Sequence, residues 1–287
     1  MDTTLLDLPD VSTFIDTDRY PIHRPEDPAL QQITADARRQ LQATGCAHLP
    51  AVFRPEVHER LMDETTAAAP DAYQLTRELT PYGDGGQHDE WPADHPRNRT
   101  GTMSNGFVGK DRIPVDTMIR SLYDNSDFQR FVADCMGLDT LHQFADPIRG
   151  LVVNVMNDGT QMPWHYDANE FIVSLMTRKP EAGGTFEYCA DLREPGDEHY
   201  DAVERVLDGD RGPVRTLDLN VGDLQLFRGR YSLHRIAPVD GTRHTVLFGY
   251  SETPGYIGGV ESTRYGYGRV TREHLVAAGR HTDGLAG

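Results

Sequence analysis

The sequence predicts a mainly β fold with flanking helices, a double-stranded β-helix or jelly roll in which the helices come first. From residue 148 the chain breaks into short β-type runs, RGLVVNVM, EFIVSLMT, GTFEYC, VRTLDLN, DLQLFRG and RHTVLFGYS, separated by Gly, Pro, Asp and Asn. Short strands in such succession make a sandwich or barrel and not alternating βα units. Before residue 148 the apolar residues recur at helical spacing instead. A length of 287 residues suits a single core with additions. One domain is therefore expected over 1–287: a mainly helical part at 28–145, a jelly-roll core at 148–255 and a C-terminal extension at 256–287.

In the helical part, ALQQITADARRQLQATG places Leu30, Ile33, Ala37 and Leu41 on one helix face and stops at Gly45. CAHLPAVF reads as a short strand, and Pro55 opens a second helix, PEVHERLMDETTAAA, that ends before Pro70. Residues 71–114 are rich in turn formers and weak in periodicity, which predicts a lid-like loop. A third helix is expected from about Asp116 to Cys135, on Met118, Ile119, Leu122, Phe128, Phe131 and Val132.

Composition narrows the function classes. A net charge of −17, with acidic residues scattered along the chain, argues against nucleic acid or an anionic membrane as partner and leaves a small molecule. No run approaches eighteen apolar residues, and the N-terminus MDTTLLDLPD is acidic where a signal peptide would be basic, so a cytoplasmic location is expected. Cys46, Cys135 and Cys189 are far apart and form no C-x-x-C pair, which suggests neither a disulfide framework nor a thiolate zinc site. No sequence feature specifies an oligomeric state.

The chemistry concentrates in MPWHYDANEF, where His165 and Asp167 stand one residue apart. On extended backbone, residues i and i+2 project to one side, so an imidazole and a carboxylate can converge on one ion. A lone H-x-D is weak, but LNVGDLQLFRGRYSLHRI adds His234 after two strands. Two imidazoles and one carboxylate can occupy one face of an octahedral metal and leave three positions open, as non-haem Fe(II) oxygenases require. Nine residues on, Arg243 opens the strand RHTVLFGYS. Alternation puts Arg243, Thr245, Leu247, Gly249 and Ser251 on a smaller, more polar face, and an arginine there can grip a carboxylate through two prongs. Arg235 is the fallback for that role.

With these motifs in order, the chain resembles the Fe(II)/2-oxoglutarate-dependent oxygenase superfamily. It looks closest to the bacterial branch of phytanoyl-CoA-dioxygenase-like enzymes and the free-amino-acid hydroxylases and halogenases of natural-product pathways. The similarity covers roughly residues 40–255 and rests on TGCAHLPAVFRPEVHERL, DPIRGLVVNVMNDGTQMPWHYDANEF, KPEAGGTFEY and VGDLQLFRGRYSLHRIAPVDGTRHTVLFGY. It implies a single oxygenase domain with a cupin-like jelly roll, in which His165, Asp167 and His234 hold Fe(II) and Arg243 meets the distal carboxylate of 2-oxoglutarate. O2 is the other co-substrate. The implied reaction is hydroxylation of an unactivated C–H bond in a small polar metabolite, coupled to oxidation of 2-oxoglutarate to succinate, in bacterial secondary metabolism. Halogenases of this branch lack the carboxylate, whereas this chain has Asp167. Desaturation, cyclisation or epimerisation at the same iron site, and a non-catalytic metal- or ligand-binding barrel, are the alternatives.

Further residues are candidates beside ordinary structural roles. Asn154 is placed to hydrogen-bond 2-oxoglutarate. Asn169 and Glu170 follow the metal motif and can meet substrate, although a turn explains both equally well. Trp164 either walls the iron pocket or packs in the core. In the 71–114 segment, Asp89 and Glu90 with Arg97 and Arg99 offer opposed charges to a zwitterionic amino acid. His88 and Glu90 lack a third partner for a second metal site, and Tyr265, Tyr267 and Arg269 belong to a C-terminal return that can cross the barrel mouth.

Overall fold

In the computed structural model, which describes residues 8–279, helices lie on the outer face of a large sheet. α1 (Pro28–Thr44) starts where the Asp27 side chain accepts the Ala29 N–H and ends at Gly45 in the left-handed region, the arrangement a Pro at the first position and a Gly after the last favour. β1 (Cys46–Leu49) and α2 (His58–Ala68) follow. The helix expected over 116–135 is two, α3 (Met118–Tyr123) and α4 (Ser126–Met136). The Asn125 side chain accepts the Phe128 N–H, so a local polar competitor ends one helix and caps the next.

Residues 71–114 depart from the expected loop. β2 (Tyr73–Leu79) and β3 (Gly101–Gly109) pair antiparallel and continue the main sheet, so only the segment between them is irregular. YQLTREL does alternate: Leu75 and Arg77 are half-buried and Leu79 buried, while the residues between them are exposed. A polar, one-sided strand of this kind gives a weak signal beside its turn-rich neighbour.

The remaining strands build the jelly roll. They are β4 (His142–Gln143), β5 (Leu151–Met156), β6 (Met162–His165), β7 (Ile172–Arg178), β8 (Ala182–Gly183) and β9 (Phe186–Cys189). After α5 (Tyr200–Leu207), a helix the sequence reading did not anticipate, come β10 (Arg215–Leu217), β11 (Leu224–Phe227), β12 (Leu233–Ile236), β13 (Val239–Asp240), β14 (Arg243–Phe248) and β15 (Tyr250–Ser251). The major sheet runs β1-β11-β7-β14-β5-β3-β2, the minor sheet β10-β9-β12-β6. α6 (Val260–Tyr267) and α7 (Arg272–Ala277) close the described chain. Residues 280–287 of the expected C-terminal extension, like 1–7, lie outside the described residues.

Alternation along the major sheet sorts core from site. Val153, Val155, Val173, Leu175, Leu224, Leu226, Val246 and Phe248 join the helices in one buried cluster. The residues between them, among them Asn154, Ser174, Gln225, Arg243 and Thr245, face the minor sheet and line a cavity. The helix side is thus apolar and dense, whereas the inner side carries buried polar groups, which need partners or a ligand. No helix among the described residues is long and apolar enough to cross a membrane.

Candidate metal centre

His165 and His234 are cross-strand partners on β6 and β12, and the register slips by one residue between this pair and Met162–Ile236. That bulge lets both Met162 and His165 face the cavity, which strict alternation would forbid. Asp167 lies just past the end of β6, held by its own N–H donating to the Gly229 carbonyl at 3.0 Å. One donor atom from each of His165, Asp167 and His234 can be chosen so that all lie within 4.8 Å of one another. The two Nε2 atoms stand 3.9 and 3.4 Å from the Asp167 carboxylate oxygens.

The tautomers suit a cation. Nδ1 of His165 lies 2.7 Å from the Pro163 carbonyl and Nδ1 of His234 lies 3.0 Å from that of Ser232. A carbonyl only accepts, so each Nδ1 carries the proton and each Nε2 offers its lone pair inward. Burial, reinforced by repulsion from His165 and opposed by Asp167, lowers the His234 pKa to about 4, so at neutral pH this imidazole is the uncharged form a metal binds. Asp167 Oδ2 is buried with no hydrogen-bond partner among the described residues. Two imidazoles and one carboxylate, with no fourth donor among the described residues, suit an open Fe(II) site, where a closed zinc site would add a thiolate.

The inner cavity, about 90 Å³, extends from this triad between the sheets to Arg243. Arg243 is 3% exposed, its Nε has no partner among the described residues, and its Nη1 makes a long contact to Thr245 Oγ1 at 3.5 Å. Burial pushes its pKa down to about 10. An unpaired buried guanidinium is costly, and a ligand carboxylate is what would relieve that cost, so cavity and arginine together fit 2-oxoglutarate. Asn154 also lines the cavity, with its Oδ1 accepting from Asn105 Nδ2 at 2.8 Å. Arg235 faces the other way, pairing with Glu187 and stacking on Trp164, so Trp164 packs on the outer face of the minor sheet.

A larger cavity of about 330 Å³ adjoins the first and shares His165, Asp167, Ile172 and Leu247 with it. Its polar wall carries two arginines absent from the sequence-level candidates. The Arg77 guanidinium stacks 3.0 Å from the centroid of the Tyr265 ring and donates to the Tyr265 carbonyl at 2.8 Å, yet its Nε and Nη1 are buried without partners. Arg149 donates to Ser262 Oγ at 3.2 Å. The period-two face Leu75, Arg77, Leu79 was the signal that could have found Arg77. Arg149 carries no such local mark.

The structure brings together some of the other candidates and separates the rest. Asn169 lines the outer cavity. Glu170 lies in a neighbouring recess that shares Phe144, Asn169, Phe171 and Tyr250 with it. Arg99 lines neither cavity: it donates to Asp208 and to the Leu207 carbonyl at the end of α5. Arg97 lies over the Tyr82 ring and bonds Tyr200, and Asp89 and Glu90 are likewise outside both cavities. Arg97 and Arg99 thus fasten that segment to α5 and the residue after it, and the arginines lining the outer cavity are Arg77 of β2 and Arg149.

The comparisons agree with this architecture. Three solved structures share the fold at a TM-score of 0.50. The non-haem α-ketoglutarate-dependent epimerase SnoN of nogalamycin biosynthesis is 15% identical, covering 78% of this chain and 82% of that one. AviO1 from Streptomyces viridochromogenes Tue57 is 15% identical, covering 78% and 96%. A prolyl hydroxylase from Trichoplax adhaerens, solved with a hypoxia-inducible-factor peptide, is 12% identical, covering 77% and 90%. No curated protein matches the chain. The fold and the three-donor arrangement agree with the Fe(II)/2-oxoglutarate oxygenase resemblance of the sequence. The family model for Halogenase D matches residues 30–256, and the chain belongs to that family.

Proposed function

We propose that the protein is a 2-oxoglutarate-dependent Fe(II) dioxygenase that hydroxylates, and does not halogenate, a small carboxylate-bearing metabolite. The observation that carries the reading is Asp167 beside both imidazoles while Arg243 waits unpaired in the same cavity. A carboxylate in the third protein position fills the place a halide would need, whatever the family's name. Bound Fe(II) and 2-oxoglutarate supply the oxidative activation of dioxygen; the chain supplies the geometry. His165, Asp167 and His234 fix the ion, Arg243 orients the co-substrate by its far carboxylate, and Phe186 and Phe227 pack against His234 and keep bulk water from that side.

For the substrate, Arg77 and Arg149 favour an anionic group in the outer cavity, because guanidinium groups lining a cavity bind carboxylates through charge-assisted pairs. Glu170 and Glu252 in the adjoining recess offer a place for an ammonium, so a free amino acid or a derivative is the class the charges favour. The test is aerobic turnover of the iron-loaded protein across amino acids, the corresponding amines, acyl-CoA esters and carrier-bound acyl groups, reading succinate and product mass. Succinate with a product 16 mass units heavier, from carboxylate-bearing substrates only, is expected. A loss of 2 mass units would replace hydroxylation by desaturation, a chlorinated product in the presence of chloride would overturn the role given to Asp167, and no succinate from any candidate would favour a binding barrel.

A further inference from the structure

The turn that links β11 to β12 holds a glycine whose conformation does not explain it. Gly229 is buried and is absent from the residues with positive φ, so an L side chain is sterically allowed there as far as the backbone is concerned. What forbids one is a neighbour: a Cβ built on Gly229 would fall on Asp167 Oδ2, and the three heavy atoms nearest to it all belong to Asp167. The turn itself is held on several sides. The Arg228 N–H donates to the Gly45 carbonyl at 2.9 Å and the Gly229 carbonyl accepts the Asp167 N–H at 3.0 Å. Arg230 Nη1 donates to the Ala168 carbonyl at 3.1 Å, and Arg228 pairs with Asp191.

A turn fastened in this way cannot yield, so the carboxylate would have to move. A free surface aspartate could rotate aside at little cost, but an aspartate that ligates a metal has one useful rotamer. We propose that Gly229 is a positioning residue for the metal centre: by leaving the space of a missing Cβ to the Asp167 carboxylate, it fixes the rotamer in which Asp167 meets the ion beside His165 and His234. This rests on the metal-centre reading above. Ligand identity at position 167 and residue size at position 229 are then coupled, although the two lie 62 positions apart in sequence.

A double-mutant cycle tests the coupling, with Co(II) as the probe metal in the full-length protein. Gly229→Ala should weaken Co(II) binding roughly 10- to 100-fold, as loss of an outer partner of a metal ligand does, and should alter the visible Co(II) spectrum. In the Asp167→Gly background the same Gly229→Ala change should leave Co(II) affinity and the melting temperature of the metal-free protein unchanged, because the colliding carboxylate is gone. Wild-type affinity in Gly229→Ala, or an equal penalty in both backgrounds, would overturn the proposal. If Asp167→Gly binds no Co(II), the melting comparison decides: destabilisation by Gly229→Ala only when Asp167 is present supports the coupling, and unfolding in both backgrounds refutes it. Failure of the wild-type protein to bind Co(II) would instead sink the metal-centre reading itself.

Discussion

The two cavities that meet at His165 and Asp167 are built on different principles. The inner one is lined by β5, β6, β7, β9, β11, β12 and β14, strands that all pair on both sides except β6 at the edge of the minor sheet, and its buried arginine has no carboxylate partner among the described residues. The outer one borrows its walls from β2, β3 and α6, at the edge of the major sheet, and its arginines are partly engaged by Tyr265 and Ser262. A rigid box with one unpaired charge suits a reagent that never varies. A box walled by an edge hairpin and a C-terminal helix suits a substrate that differs among relatives, because edge elements can change without disturbing the barrel.

The sharpest way to break this contrast is at the shared boundary. Replacing His165, Asp167 or His234 by Ala should abolish iron-dependent succinate formation, since an open three-ligand site has no redundancy; wild-type turnover in any one of them would remove that residue from the centre. One step inward, Arg243→Met should raise the KM for 2-oxoglutarate roughly 10- to 100-fold, a charge-assisted hydrogen-bonded pair being worth about 1.5–3 kcal/mol. The same change removes an unpaired buried charge, so the metal-free protein should melt no lower than wild type. A fall in melting temperature without any change in KM would make Arg243 structural.

Acid offers a third test of the inner wall. His244 lies behind Arg243 on the helix side of β14, 1% exposed, with Nε2 unpartnered and Nδ1 3.3 Å from Thr65 Oγ1; burial, aided by Arg178, lowers its pKa to about 4. Its folded pKa lies below the ordinary value near 6.5, so between these two values the unfolded chain binds the extra proton. Stability is therefore complete above about pH 6.5 and lost as the pH falls toward 4, by on the order of 1–3 kcal/mol at pH 4.5 for this one group. Denaturant unfolding of wild type and His244→Gln at pH 7 and pH 4.5 should show a smaller acid penalty in the variant. Equal penalties would mean that acid acts elsewhere.

In the outer cavity the expected effects are smaller and more selective. Arg77→Gln should raise the KM for a carboxylate substrate roughly tenfold while leaving that for 2-oxoglutarate unchanged, because this guanidinium is already shared with the Tyr265 ring and carbonyl. If both constants moved together, the two cavities would not be separable.

What the sequence determined by itself is what local periodicity carries. The jelly-roll strands, the inward face of Arg243, Thr245 and Leu247, and the shared side of His165 and Asp167 all follow from a two-residue repeat that needs no knowledge of partners. The order His165, Asp167, His234, Arg243 was legible for the same reason, since each donor sits at a strand end that the sequence marks with turn residues. Tertiary structure alone decided the rest. Arg77 became a cavity residue only because β2 pairs with β3 at the sheet edge and Tyr265 returns from 188 residues away to cover it. The charges of Arg97 and Arg99 turned outward because α5, whose position no local pattern fixes, supplies Tyr200 and Asp208 as partners. Whether an exposed-looking charge faces solvent, a partner or a ligand depends on what the fold brings opposite it, and pairings at long sequence separation leave no period in the chain.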